Sequence, residues 1–263
     1  LDALLDMDGI AVFAGGLVTA DAGQSVTNAS FTSTGSTVEV TALNVDVSNT
    51  DVVANLAATV WAGQDVIGSS VISEAASVDV TADTGSISAT DADAATTVTF
   101  LADIDIVGGS QKAGTDATLT ATLGNIQGSN TQAGGFADLD ALLDMDGIAV
   151  FAGGLVTADA GQSVTNASFT STGSTVEVTA LNVDVSNTDV VANLAATVWA
   201  GQDVIGSSVI SELASVDVTA DTGSISATDA DAATTVDFLA AIDIVGGSQK
   251  AGTDATLTAT AGN

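Results

Sequence analysis

The chain of 263 residues contains no cysteine, proline, histidine, arginine or tyrosine. Without cysteine, neither a disulfide framework nor a thiolate metal site can form, which suits a secreted bacterial protein that must survive without redox chemistry. Without proline, no strand is barred from pairing on both of its edges. With histidine and arginine missing and only Lys112 and Lys250 as side-chain cations, little is left to move a proton near neutral pH or to grip phosphate. Aromatic residues are scarce, at seven Phe and two Trp, so a core must be made of small and β-branched side chains. No run of 18 apolar residues exists to form a membrane-spanning helix. Neither a signal-peptide pattern nor an initiator methionine stands at Leu1.

What is present is acidic and apolar together. Thirty-three Asp and Glu residues face two Lys, for a formal net charge of −31, while 46% of the residues are hydrophobic. Such a field repels nucleic acid and anionic lipid, so neither a nucleic-acid partner nor membrane insertion is expected. It keeps an apolar chain in solution and opposes side-by-side association at low salt.

Residues 1–125 recur as residues 139–263 with four differences: Ala75/Leu213, Thr99/Asp237, Asp103/Ala241 and Leu123/Ala261. The expected organisation is a first repeat unit, residues 1–138, and a second, truncated copy, residues 139–263, with residues 126–138 continuing the stack. Ending short of a second copy of 126–138 is the pattern expected of an excerpt from a longer array. A catalytic site needs its groups once, in one geometry, whereas a fibre or coat gains length with each copy.

A shorter period lies inside the long one. The pattern apolar-x-apolar-x-Ala puts three residues on one face of a strand and recurs as Val38-x-Val40-x-Ala42, Val78-x-Val80-x-Ala82 and Ala117-x-Leu119-x-Ala121. The marker alanines read as 3, 20, 42, 62, 82, 102, 121, 141, 158, 180, 200, 220, 240 and 259, at intervals of 17 to 22. Turns rich in Gly and Asx follow each marker, then shorter apolar pairs. The expected fold is an all-β parallel β-solenoid of coils of about 20 residues, seven coils per 138-residue repeat. At about 4.8 Å per coil, one unit would extend roughly 34 Å. Val40, Val80 and Leu119 should point inward. Tandem Ig-like β-sandwiches, one per unit, are the alternative, although they give no reason for the alanines to keep their interval across the unit boundary. In the first coil, and in its copy from Leu139, the segment Leu-Asp-Ala-Leu-Leu-Asp-Met-Asp-Gly could form a short helical turn ended by Gly9 or Gly147.

Candidate sites are few. Lys112 and Lys250 sit in Gly-rich turns and read as solvated. No nucleophile motif, phosphate loop or metal-binding His is present, so no enzymatic activity is expected. Calcium is the one ligand with a pattern behind it. Asp6/Asp8 and Asp91/Asp93, copied as Asp144/Asp146 and Asp229/Asp231, are i, i+2 pairs that direct two hard oxygen ligands to one side of an extended segment. Asp103/Asp105 is a further pair, but Ala241 replaces its first member in the copy. Threonines preceding several marker alanines suggest an outer face, but Thr-x-Thr ranks of an ice-matching kind occur only at Thr118/Thr120 and Thr256/Thr258. Trp61, Leu101, Trp199 and Leu239 fall on the same outer face, where they could contact a host surface or a neighbouring filament.

Residues 77–89 (SVDVTADTGSISA) and 117–128 (ATLTATLGNIQG) resemble coils of large bacterial exoproteins of the filamentous haemagglutinin type. The resemblance lies in the coil pattern through most of the chain. It implies long β-helices displayed at, or shed from, the cell surface. The acidic composition and the long repeat are also similar to those of giant cell-surface and S-layer-like proteins. The expected function is therefore a structural building block of an extracellular filament or surface layer, self-associating end to end. An adhesin stalk or passenger displaying a binding site located elsewhere in its parent is the alternative.

Overall fold

The computed structural model describes residues 1–262, which divide into two compact units, Leu1–Gly134 and Gly135–Asn263. Each unit is a parallel β-solenoid whose coils contribute one strand to each of three sheets. A representative coil of the first unit runs through Val38–Ala42 in the first sheet, Val47–Ser48 in the second and Asp51–Ala54 in the third. The next coil repeats the order with Ala58–Ala62, Val66–Ile67 and Ser70–Ser73. Its strands lie in register on their predecessors: Val38 on Ala58, Val47 on Val66 and Val52 on Val71. The first unit has seven strands in each sheet; the second has seven in the first sheet and six in each of the others.

The strands form where the period-2 pattern allows one face to be dry. Val38, Val40 and Ala42 are at most 1% exposed, while Glu39 between them is exposed. Val80 and Leu119 are buried in the same way, as the alternation predicts. Each coil places three main side chains at its centre, one from each sheet, and their sizes compensate. Ala20, Val26 and Phe31 fill one coil; Val40, Val47 and Val52 the next; Val80, Ile87 and Ala92 another; all but Ala92, at 3%, are at most 1% exposed. The one large ring thus sits opposite an alanine in the first of these coils. Phe100 occupies the first-sheet position further on, with Ile106 and Gln111 beside it. The trade suits close packing at fixed coil spacing in the first three coils, whereas the coil of Phe100, with both companions large, does not make it.

Two local devices hold the corners. The residue after each second-sheet strand adopts a left-handed backbone: Gly9, Asn28, Asn49, Gly68, Ala89, Gly108 and Gly128 in the first unit, with φ between 47° and 69°. Gly and Asn are the residues that tolerate this conformation, and Ala89 is the exception, with Ala227 its copy. The second device sets the length of the turn that leaves the third sheet. Where the strand ends in Ser (Ser33, Ser73, Ser171, Ser211), four residues follow before the next strand; where it ends in Ala (Ala14, Ala54, Ala94, Ala113), three follow. The hydroxyl explains the rule. Ser33 Oγ donates to the Gly16 carbonyl of the preceding coil at 2.6 Å and accepts from the Ser36 amide at 3.1 Å, tying in the extra residue.

Two expectations are corrected. The first coil forms no helical turn: Asp2–Ala3 and Met7–Asp8 are strands paired with the next coil, and Met145–Asp146 is likewise a strand in the copy. The polar alternation Asp-x-Asp suits a strand edge, and Gly9 serves the left-handed corner rather than ending a helix. The marker residues of the second coil and its copy are Ala22 and Ala160, not Ala20 and Ala158, because the strands are Val18–Ala22 and Val156–Ala160. With that shift, each marker follows its predecessor by 19 or 20 residues, tighter than the sequence pattern suggested. Every strand pairing described is parallel, which excludes antiparallel β-sandwiches. The glycine-bearing stretch from Ile126 forms strands. Ile126–Gln127 and Asn130–Ala133 are strands of the first unit, and Ala137–Ala141 is the first strand of the second.

Candidate functional site

The eight candidate calcium ligands are engaged in contacts between neighbouring coils. Asp6 Oδ1 accepts from the Ser25 amide at 3.1 Å and its hydroxyl at 2.6 Å, and Asp8 Oδ1 accepts from Thr27 and Asn28, both at 2.9 Å. In the second unit Asp144 accepts from the Ser163 amide at 3.0 Å, and Asp146 from Thr165 at 2.6 Å and Asn166 at 2.9 Å. Asp91 and Asp229 accept from the amides of Ser110 and Ser248 at 2.8 and 2.7 Å. Asp93 and Asp231 pair with Lys112 and Lys250 at 2.9 and 2.8 Å. The i, i+2 members therefore act singly, each towards the next coil. Among the described residues no three acidic side chains come together in a group that could hold a metal ion.

Hydrogen bonding shifts several of these carboxyls. Asp6 is held below the ordinary carboxylate value chiefly by the Ser25 hydroxyl, Asp8 by Asn28 and then Thr27, and Asp146 by Thr165 and then Asn166. Asp140 moves the other way, raised first by partial burial and then by the charges of Asp159 and Asp138.

The sequence reading missed a column that these contacts reveal. The residue immediately before each second-sheet strand is Asp6, Ser25, Asp46, Asp65, Ser86, Asp105 and Asn125 in the first unit. At most of these positions, Asp6, Asp46, Asp65, Ser86 and Asp105, the side-chain oxygen receives the backbone N–H of the equivalent residue one coil on. Asp46 accepts from Asp65 N at 3.0 Å, Asp65 from Ser86 N at 2.7 Å, Ser86 Oγ from Asp105 N at 3.2 Å and Asp105 from Asn125 N at 2.7 Å. An oxygen on a short side chain is what the position needs, and Asp, Ser and Asn all supply it. The signal was available: the column becomes visible once residues are aligned on the second-strand apolar position rather than on alanine.

Trp61 and Leu101 do face outward. They follow Thr41 and Thr81 in one column of the first sheet, between the inward Val60 and Ala62 and the inward Phe100 and Ala102. Trp61 is half-buried and Leu101 exposed; Trp199 and Leu239 repeat the arrangement. Asp21, rather than Thr19, belongs to this column, and Thr19 stands in the neighbouring outward column with Glu39, Thr59 and Asp79. Threonine and acid mingle there, so no continuous threonine lattice forms. The four differences between the repeats all avoid the interior: Thr99/Asp237 is outward on the first sheet, and the other three lie in turns.

A solenoid of laddered coils is the class of protein that this geometry defines. In comparison with known proteins, the chain matches no protein-family model, no curated protein and no solved structure.

Proposed function

We propose that this chain is a structural, non-enzymatic building block of an extracellular filament or cell-surface layer, lengthened by adding coils. The observation that carries the reading is that the second unit repeats the first position for position in its interior, its corner carboxylates and its left-handed turns, while all four differences fall outside the interior. Each coil offers the next the same donors, acceptors and apolar ladder. Stacking of this kind is head-to-tail and does not close on itself, so a further copy extends the body rather than completing a ring. Self-association along the coil direction is the corresponding partner contact, opposed by the net charge of −31 and favoured by salt or calcium acting as a screening counter-ion.

Sedimentation of the chain across a salt series and a calcium series, with electron microscopy of the pelleted fraction, tests this. The expected result is growth into filaments of one constant width as the charge is screened. A strict monomer under every condition would remove self-assembly and leave the coils as a covalent stalk.

A further inference from the structure

Two columns of outward side chains run side by side along the first sheet. In the first unit Glu39, Thr59 and Asp79 form one, and Thr41, Trp61 and Thr81 the other, each residue in register with its neighbour. Glu39 and Asp79 are therefore the diagonal neighbours of Trp61, about 8 Å away between Cα atoms given strand spacing and rise. The indole is half-buried on the sheet, Glu39 is exposed, and Asp79 accepts a hydrogen bond from the Ser77 hydroxyl at 3.1 Å. Neither carboxylate has a cation: the ion pairs among the described residues are Asp93–Lys112 and Asp231–Lys250, both on the third sheet. The second unit builds the same constellation from Glu177, Thr197 and Asp217 beside Thr179, Trp199 and Thr219. None of its six residues differs between the repeats, while Thr99, in register with Asp79, is replaced by Asp237 beside Asp217 in the copy.

An indole face attracts a cation, a guanidinium above all, and the attraction grows when carboxylates stand at the rim. A tryptophan ringed by polar residues is also the usual form of an anchoring contact at a protein interface. Charge decides the occupant. A chain with 33 acidic residues and two lysines steers cations toward itself and repels anions, and a neutral sugar could stack on the indole and hydrogen-bond the carboxylates but would leave their charge uncompensated. We propose that this face docks a cationic polypeptide, with an arginine or lysine side chain of the partner lying on the indole of Trp61, or of Trp199, between the two flanking carboxylates. This goes beyond the structural role proposed above and does not depend on filament formation.

Trp61 and Trp199 are the only tryptophans and tyrosine is absent, so the emission of the whole chain reports on these two sites. The experiment titrates the full chain with capped hexa-arginine at physiological ionic strength, and in parallel with a neutral glucan oligosaccharide, reading tryptophan emission and calorimetric affinity. Hexa-arginine should give a saturable change in emission. Trp61→Thr/Trp199→Thr, which installs the residue already found on either side in the column, should bind hexa-arginine about fivefold to tenfold more weakly with an unchanged circular dichroism spectrum. Trp61→Phe/Trp199→Phe should recover part of the loss and covers the case in which the threonine pair folds poorly. Equal affinity of parent and both variants would mean that the acidic field alone binds the probe, and would overturn the proposal. So would the absence of saturable binding, or a response to the glucan without one to hexa-arginine.

Discussion

Replacing Phe31 by alanine removes the largest side chain from its coil. The ring is fully buried, in register with Val12 on one side and the fully buried Val52 on the other, and it shares its coil with Ala20 and Val26. Truncating a buried Phe costs about 3–5 kcal/mol, the upper part applying where the surroundings cannot collapse. Collapse is restricted in this interior, because the walls on three sides are ladders whose spacing is fixed by backbone hydrogen bonds above and below. Ala20→Phe alone overfills the same coil and should cost about 1–3 kcal/mol. The two changes together move the ring from the third sheet to the first, the arrangement that the coil of Phe100 already uses. The double variant Ala20→Phe/Phe31→Ala should therefore be clearly more stable than Phe31→Ala, with a coupling of about 2–3 kcal/mol. Urea unfolding followed by circular dichroism, with amide exchange to localise the loss to adjacent coils, measures each corner of the cycle. Additive costs would refute size compensation within this coil. Ala158 and Phe169 allow the same cycle in the second unit.

Three further outcomes follow from the corners and the carboxylates. Ala89→Gly removes an L-residue from a left-handed backbone at an exposed position and should stabilise by roughly 0.5–1 kcal/mol in urea melts, whereas Gly68→Ala should destabilise. Ser73→Ala leaves the Ala76 amide and the Leu56 carbonyl without their shared partner and should cost about 1–3 kcal/mol, with faster exchange of the Ala76 amide. Asp140 and Asp146 should respond to pH with opposite signs. The raised Asp140 penalises the charged state, so Asp140→Asn should stabilise at neutral pH, and the gain should fade as pH drops through its raised value. Asp146 is lowered, so its contribution is present above the ordinary carboxylate value, and the deficit of Asp146→Asn should vanish as pH falls through the lowered one; thermal melts between neutral pH and about pH 3 read both.

Much of the wall was legible from residues alone. Val38, Val40 and Ala42 alternate with Glu39 and Thr41, and the same five-residue frame recurs often enough to give parallel coils and the inward face of the first sheet. The second coil misled because two frames overlap there: Gly16-x-Val18-x-Ala20 and Val18-x-Ala20-x-Ala22 both satisfy the pattern. Only the pairing of Ala22 with Ala42 decides between them. The frame chosen sets the small Ala20 in the coil that holds Phe31, a three-dimensional relation that a linear pattern does not express. The Asp-x-Asp pairs show a related limit of spacing. Spacing reports that two carboxylates share a side, but their partners, Ser25, Thr27 and Asn28, lie a full coil away.

That coil-to-coil reach gives the acidic composition an architectural explanation that needs no metal. A corner between parallel strands leaves a backbone N–H pointing along the stack, and a short side chain bearing an oxygen on the coil before can receive it. Aspartate does so at Asp46 and Asp65 and serine at Ser86, so that three successive steps are joined through either residue type. The carboxylate makes the stronger, charge-assisted bond, but consecutive carboxylates repel, so a column of aspartates alone would set each gain against a neighbouring charge. In the first unit no more than two aspartates follow one another before Ser or Asn intervenes, as Asp46 and Asp65 are followed by Ser86, and Asp105 by Asn125. The interruption keeps the acceptor and removes the charge. Closing the corners accounts for four carboxylates of the first unit, a minority of the acidic residues, and carboxylates outside that column, Glu39 among them, are available to meet another molecule.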